Sequence, residues 1–140
     1  MFQSTVKIRT VIVDDEPLAR KNLLFLLAVE GDFEIVGECA DGRSALNSIG
    51  ASDPELVFLD IQMPSMNGFE VLEALGDKRP PAVVFVTASD QFAWKILESH
   101  AVDCLLKPFH RERFREALAR VRRRLMARSE VPRLAPTDWS

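Results

Sequence analysis

Three aspartates in this 140-residue chain follow apolar runs of the kind that form buried strands. Asp14 and Asp15 follow residues 11–13, and Asp60 follows residues 56–59. If the two runs are neighbouring parallel strands, the three carboxylates meet at one sheet edge. Mutual repulsion then raises their pKa values unless a cation neutralises them. The pattern therefore predicts an acidic cluster suited to a divalent cation.

Two further polar residues end later apolar runs. Thr87 ends the run 83–87, and Lys107 follows the run that closes at residue 106. In open parallel α/β sheets, sites form outside the carboxyl ends of the strands, where the strand order reverses. A lone aspartate after an apolar run is usually a helix cap or a loop residue. Polar residues at four strand ends together favour a common pocket instead.

Acids, a lysine and a hydroxyl in one pocket suit phosphoryl transfer. Three carboxylates favour Mg²⁺ and exclude soft-metal chemistry. With the ion bound, one carboxylate remains a nucleophile toward phosphorus, while Lys107 and Thr87 offer a charge and a hydroxyl to the phosphoryl oxygens. A general base is not required, because we expect the carboxylate to be ionised at neutral pH. The product would be an aspartyl phosphate with close to two added negative charges.

The elements that must position these residues alternate along the chain. Apolar runs rich in Val and Ile alternate with segments of helical period, which is typical of βα units around a parallel sheet. The predicted strands are 8–13, 33–39, 55–59, 83–87 and 102–106, and the predicted helices are 17–29, 42–50, 67–76, 91–99 and 110–126. Asn67 with Glu70 three residues later resembles a capping box at the start of the third helix.

Composition and charge indicate one globular domain followed by a separate tail. The 47% hydrophobic content is typical of a folded globular protein and not of a disordered chain. No run approaches the roughly 18 consecutive apolar residues of a membrane span, and the N-terminal residues do not have the pattern of a signal peptide. We therefore expect a cytoplasmic protein without membrane contact. Residues 1–108 carry a net charge of -8 and residues 109–140 one of +5. The arginines of this basic segment, which form an arginine-rich face, are typical of a nucleic-acid contact or, more commonly, of a solvent-exposed helix face.

The last 14 residues have the character of a linker. Residues 127–140 contain Pro132 and Pro136 and lack periodicity, so we predict poor order beyond about residue 126. Cys39 and Cys104 have no paired spacing, which argues against zinc or a disulfide framework and favours two small buried side chains.

The motif residues closely resemble the receiver domain of bacterial two-component response regulators. The match covers residues 7–126 and comprises Asp14 with Asp15, the segment 58–68 around Asp60, residues 87–88, and residues 107–109. The resemblance implies a (βα)5 doubly wound parallel sheet with the flavodoxin-like strand order 2-1-3-4-5. It also implies that a histidine kinase phosphorylates Asp60. Such a chain is a phosphoacceptor switch with self-catalysed transfer and autodephosphorylation, and not an enzyme in the usual sense.

The family pattern assigns a role to each site residue. It implies Mg²⁺ held by Asp15, Asp60 and the backbone carbonyl of Gln62, with Asp14 acting through a metal-bound water. It further implies that Lys107 pairs with the phosphoryl group, that the bond from Lys107 to Pro108 is cis, and that Thr87 moves toward the phosphate on activation. One departure stands three residues before the lysine, where the family usually has Tyr or Phe and this chain has Cys104. Signalling would then rest more on Thr87 and the fourth helix.

Residues 87–93 and 100–109 are most similar to the LytR/AlgR type of receiver, whose members normally carry a C-terminal LytTR DNA-binding domain. We therefore expect transcriptional output and DNA contact only through such a domain, which these 140 residues lack. The arginine-rich helix followed by Pro132 favours a truncated chain over a stand-alone receiver.

Two helices carry apolar residues that a partner can use. In the fourth, the apolar residues span an arc of about 200°, against the roughly 100° needed to cover a sheet; they are Phe92, Ala93, Trp94, Ile96 and Leu97. We hypothesise that Trp94 or Leu97 lies in a homodimer contact formed on phosphorylation; the alternative is an isolated exposed side chain. In the fifth helix, a stripe from Phe114 to Leu125 predicts docking on the sheet in preference to a seam between protomers.

Three other functions compete with this prediction. A hydrolase of the haloacid dehalogenase type needs a second aspartate two residues after the nucleophile, where this chain has Gln62. A nucleotide binder would present a Gly- or Ser/Thr-rich phosphate loop after the first strand, whereas residues 14–16 are all acidic. The main alternative is a phosphorylation-independent receiver that acts only as a protein interaction module.

Overall fold

Five parallel strands and five helices form the described part of the chain, residues 6–76 and 80–130 of the computed structural model. In chain order they are β1 (Ile8–Val13), α1 (Pro17–Glu30), β2 (Phe33–Cys39), α2 (Gly42–Ser52), β3 (Leu56–Asp60), α3 (Gly68–Leu75), β4 (Ala82–Thr87), α4 (Ala93–Glu98), β5 (Asp103–Leu106) and α5 (Arg111–Glu130). The strand order is β2-β1-β3-β4-β5 and every neighbouring pair is parallel. The predicted doubly wound sheet is therefore confirmed.

The central strands are apolar on both faces because helices cover both sides of the sheet. All five residues of β3 and all six of β4 are buried. Alternate side chains of these strands enter two separate hydrophobic clusters, as the period of two in a strand requires. One cluster contains Leu23 of α1 and Phe114 of α5, and the other contains Ala45 of α2 and Val71 of α3.

The order of the strands places the carboxyl ends of β1 and β3 side by side. Val13 pairs with Leu59, and β4 continues the register on the other side of β3. A helix leaves the sheet after each strand, so the loops that follow β1, β3, β4 and β5 gather at one edge. This edge is where the sequence predicted a pocket.

Helix ends follow the signals in the sequence. The Asn67 side chain accepts a hydrogen bond from the Glu70 backbone N–H at 2.9 Å, and Glu70 Oε1 accepts one from the Asn67 backbone N–H at 2.8 Å. The predicted capping box is thus confirmed, with Asn in the usual place of Ser or Thr. Gly31 ends α1 with φ of 84°, which glycine adopts without strain.

The prediction for the C-terminal boundary is partly wrong. Helix α5 continues to Glu130, four residues beyond its expected end at residue 126. Regular structure therefore extends further along the chain than the sequence predicted. The remaining linker residues, 131–140, lie outside the described part of the chain. Phe114, Leu118 and Val121 are fully buried against the sheet, which confirms that this stripe docks within the domain. Among the residues described, no helix is both long and apolar enough to cross a bilayer.

Ion pairs within the domain use part of the arginine-rich face. Arg122 donates to Asp32 at 2.8 Å and to Glu30 at 3.0 Å, which ties α5 to the end of α1. Asp103 in β5 accepts hydrogen bonds from Arg113 and Arg120 of α5. These contacts favour the ordinary interpretation of the arginines as stabilising surface groups.

Candidate functional site

The carboxyl edge of the sheet brings three aspartates together. Asp60 is the last residue of β3, and Asp14 and Asp15 directly follow β1. One carboxylate oxygen of each lies within 4.8 Å of the other two. Asp14 and Asp60 are buried, and Asp15 is the most exposed of the three. The predicted acidic cluster is therefore present.

Asp60 is a buried carboxyl group with few hydrogen-bond donors. Its Oδ1 accepts a hydrogen bond from the backbone N–H of Gln62 at 3.2 Å, and Lys107 Nζ lies 3.8 Å from Oδ2. Burial and, secondarily, the charge of Asp14 raise the pKa of Asp60 from 3.8 to about 7. The expectation that this carboxylate is fully ionised at neutral pH therefore fails for the metal-free site. Additional positive charge is needed to favour the ionised form.

Asp14 contains the one oxygen that the structure leaves without a hydrogen bond among the buried side-chain atoms described. Asp14 Oδ1 accepts from the Glu16 backbone N–H at 2.9 Å, but Oδ2 accepts no hydrogen bond. Lys107 Nζ lies 2.8 Å from Oδ2, in a close ion pair that is not aligned as a hydrogen bond. A buried carboxylate oxygen in this state is costly unless a further cation or water satisfies it.

The donor set fits Mg²⁺. Three carboxylates supply hard oxygen ligands, and Asp14 Oδ2, although paired with Lys107, accepts no hydrogen bond and can take a further positive partner. Asp15, the most exposed member, leaves one side of the cluster open to solvent, as an ion that keeps part of its hydration shell requires.

Lys107 directly follows β5 and reaches across the edge to the aspartates. Its ammonium lies 2.7 Å from Glu16 Oε1 as well as 2.8 Å from Asp14 Oδ2. Burial alone would lower the pKa of Lys107, but the surrounding carboxylates outweigh it and raise the pKa above its ordinary value. Lys107 is therefore a permanently charged group at the pocket. The bond from Lys107 to Pro108 is cis, as the resemblance implies.

Thr87 ends β4 at the same edge and is 1% exposed. Its hydroxyl oxygen accepts a hydrogen bond from the Ser89 backbone N–H at 3.2 Å, and its carbonyl accepts one from the Lys107 backbone N–H at 2.7 Å. The structure thus couples Thr87 to the loop before α4 and to the start of the segment after β5. Its hydroxyl bonds to that loop and not to Asp60 among the contacts described.

The loop after β3 is held close to the aspartates by Gly68. The Gly68 backbone N–H donates to the Ile61 carbonyl at 3.0 Å. A Cβ at residue 68 would lie 2.7 Å from the Asp60 carbonyl oxygen and 3.2 Å from Ile61 Cα. Only glycine permits this approach, which brings α3 against the end of β3 and fixes the loop that contains Gln62.

Cys104 lines a groove between α4, β5 and α5. The groove has a volume of about 480 Å³ and extends from Thr87 to Leu97 and Leu106. Burial raises the pKa of the Cys104 thiol to about 11, so it stays protonated. Cys39 and Cys104 are free and lie on the two outer strands of the sheet.

Glu16 is the functional residue that sequence reasoning missed. In the sequence it is only the third acid of residues 14–16, yet its carboxylate forms the shortest ion pair with Lys107. The two residues are 91 positions apart, so local patterns carry no sign of the contact. Its position directly after the aspartate pair was the available signal.

Comparison with known proteins agrees with this geometry. Residues 10–119 match the family model described as the response regulator receiver domain. The transcriptional regulatory protein BtsR of Salmonella typhi is 47% identical over 115 residues, which are 82% of this chain and 48% of the relative. BtsR of Escherichia coli K12 is 45% identical over the same share of each chain. The chain therefore spans about half the length of the curated relatives it matches.

Solved structures resemble the whole described fold. The response regulatory domain of mrkE from Klebsiella pneumoniae is 31% identical with a TM-score of 0.77, and the match covers 82% of this chain and 95% of that one. The REC domain of AraT from Geobacillus stearothermophilus is 28% identical with a TM-score of 0.79, covering 88% and 98%. The fold of this chain thus recurs in solved response regulator receiver domains.

Proposed function

Because this chain belongs to the response regulator receiver domain family, we propose that it is the phosphoacceptor switch of a two-component system. A histidine kinase is the phosphodonor and Asp60 is the acceptor. The observation that carries the proposal is the buried, under-stabilised carboxyl group of Asp60, with two further aspartates and a charged lysine beside it.

In the proposed reaction, an oxygen of Asp60 attacks phosphorus. The bond from phosphorus to the kinase's histidine nitrogen breaks, and its electron pair leaves with the imidazole. Asp60 reacts as the carboxylate, so no group of this chain removes a proton. Lys107 Nζ, already 3.8 Å from Oδ2, pairs with the transferred phosphoryl oxygens. Thr87 then donates its hydroxyl hydrogen to the same oxygens, because its hydrogen bond with the Ser89 N–H uses only a lone pair of the hydroxyl oxygen.

Mg²⁺ is the proposed cofactor. Asp15, Asp60 and the backbone carbonyl of Gln62 would hold it, and Asp14 would act through a water. Bound there, the ion supplies positive charge to the carboxylates and to the phosphoryl oxygens. The raised pKa of Asp60 and the lack of a hydrogen bond to Asp14 Oδ2 both support this assignment.

The output is proposed to be transcriptional, through a LytTR DNA-binding domain in the longer protein. The names of the BtsR relatives, the unmatched half of their length and the LytR/AlgR-like motifs support this. We also propose a cytoplasmic location and a homodimer formed on phosphorylation, with the signal passing from Thr87 through α4. DNA contact belongs to the further domain and not to this receiver.

Intact-mass measurement after incubation with acetyl phosphate tests the proposal. Wild type with Mg²⁺ should gain the mass of one phosphoryl group, whereas Asp60→Asn, or wild type with EDTA, should not. Asp90→Asn, an exposed aspartate outside the cluster, is the matched control and should gain it normally. No gain in wild type under any donor or metal condition would favour the phosphorylation-independent interaction module.

A further inference from the structure

Glu16 occupies the boundary between the aspartate pair and α1. It is the residue before the helix, and its backbone N–H donates to Asp14 Oδ1 at 2.9 Å. Residues at this position usually turn a side-chain oxygen back to cap the helix. The Glu16 side chain makes no such bond, which leaves its carboxylate available to Lys107.

Three carboxylates share the ammonium of Lys107, and the nearest is not the phosphoacceptor. Nζ lies 2.7 Å from Glu16 and 2.8 Å from Asp14, but 3.8 Å from Asp60. The distance to Asp60 exceeds that of a hydrogen bond. Asp14 and Glu16 therefore hold Lys107 on the β1 side of the pocket, away from the oxygen that receives phosphorus.

Asp14 and Glu16 differ in how easily they release Lys107. The Asp14 side chain is fully buried, so loss of its cation leaves an unpaired buried charge. The Glu16 side chain is 63% exposed, and water solvates it when the ion pair opens. Exposed ion pairs of this kind contribute little net free energy, so the contact is a weak and reversible restraint.

On this basis we infer that Glu16 is a positioning residue that competes with the phosphoryl group for Lys107. It holds the ammonium near β1 in the resting protein and lowers the affinity of the pocket for a phosphoryl group at Asp60. The inference rests on the proposed function, because it concerns the same pocket. Glu16 would then help to determine how readily the pocket holds a phosphoryl group at Asp60.

Binding of beryllofluoride, a phosphoryl analogue, tests the inference without turnover. Isothermal titration calorimetry in saturating Mg²⁺ compares wild type with Glu16→Gln, which keeps the size of the side chain and removes its charge. We expect about two- to fivefold tighter binding, the range of a weak exposed ion pair. Glu73→Gln on α3 removes the same charge from an exposed residue without a Lys107 contact, and its affinity should equal that of wild type.

A double-mutant cycle assigns the effect to Lys107. In a Lys107→Met background, Glu16→Gln should no longer change the affinity. An equal gain in that background, or an equal gain from Glu73→Gln, would overturn the inference, because the effect would then be one of net charge alone. Unchanged affinity of Glu16→Gln beside normal wild-type binding would also overturn it.

A crystal structure of Glu16→Gln provides a second readout in case Lys107→Met binds too weakly to measure. Lys107 Nζ should move within hydrogen-bond distance of Asp60 Oδ2, and a separation still near 3.8 Å would contradict the inference. Failure of wild type to bind beryllofluoride at all would instead overturn the proposed function, and the inference with it.

Discussion

The ionised carboxylate of Asp60 is energetically unfavourable in its buried site, and the neighbouring groups only partly offset this. The side chain lies in a pocket with two other acids, accepts one hydrogen bond from the Gln62 backbone N–H, and has Lys107 at a distance that the other carboxylates impose. Burial and the charge of Asp14 therefore raise its pKa to about 7. A carboxyl group in this condition gains from a bound cation, because the cation offsets the unfavourable negative charge.

Removal of the Asp60 charge should stabilise the metal-free protein. The folded-state pKa of about 7 lies above the ordinary 3.8, so the folded state binds more protons than the unfolded state between these values. The free energy of unfolding of the metal-free protein therefore falls as pH rises from about 4 to about 7, because Asp60 loses its proton over this range. We expect Asp60→Asn to raise the free energy of unfolding by about 1–3 kcal/mol at pH 8 in EDTA, with a smaller gain at pH 5.

Urea unfolding at both pH values measures the difference, with Asp90→Asn as the control for an exposed aspartate. Equal stability of wild type and Asp60→Asn at pH 8 would show that Asp60 is not strained in the resting site.

At the scale of elements, sequence pattern located every strand and helix because each contains its own signal. In the sequence, the buried strands are short runs rich in Val and Ile, and the capping box of Asn67 and Glu70 indicates the start of α3. Helix ends were less well determined. Helix α5 extends four residues past the prediction because Ala127 and Arg128 are good helix formers that continue it at little cost, whereas the expectation of disorder came from the prolines beyond it.

Contacts between distant elements set what the sequence could not predict. Asp60 with Asp14 and Asp15 followed from strand order, which the family resemblance supplied. The pairing of Lys107 with Glu16 depends on side-chain directions in two loops and has no local signature. The same holds for Asp103, whose carboxylate accepts hydrogen bonds from Arg113 and Arg120 of α5.

The junction of β3 and α3 should tolerate no side chain at residue 68. Gly68→Ala would place a Cβ 2.7 Å from the Asp60 carbonyl oxygen, and backbone atoms on both sides cannot shift cheaply. We expect a loss of about 2–3 kcal/mol in the free energy of unfolding. Gly50→Ala is the matched control, because a Cβ there meets nothing within 4 Å and should stabilise α2 by about 0.5–1 kcal/mol. Urea unfolding distinguishes the two, and wild-type stability of Gly68→Ala would refute the tight junction.

At the scale of the whole molecule, the phosphoacceptor edge and the α4 surface are joined through Thr87. Its hydroxyl bonds to the loop before α4, and the groove lined by Cys104 begins beside it. The outer face of α4 exposes Trp94 and Leu97, at 63% and 80%. Under the proposed switch, movement of Thr87 would change the groove that it lines together with Cys104, and with it the exposed apolar surface.

The hypothesis that Trp94 lies in a phosphorylation-linked homodimer predicts a specific loss. Trp94→Ala should weaken self-association of the beryllofluoride-bound receiver about tenfold, since a central buried tryptophan commonly contributes more than 1 kcal/mol to an interface. Phe25→Ala, 68% exposed on α1, is the control, because α1 packs on the opposite side of the sheet. Sedimentation equilibrium measures both dissociation constants, and a Trp94→Ala dimer as tight as wild type would remove this residue from the interface.

Peptide mass spectrometry after borohydride reduction tests the central claim most directly, because reduction converts an aspartyl phosphate to homoserine at the modified residue. Protein incubated with acetyl phosphate and Mg²⁺ should contain homoserine at position 60 alone, and protein incubated without Mg²⁺ should contain essentially none. Homoserine at position 14 or 15, or its absence from every position despite Mg²⁺, would contradict the assignment of Asp60 as phosphoacceptor.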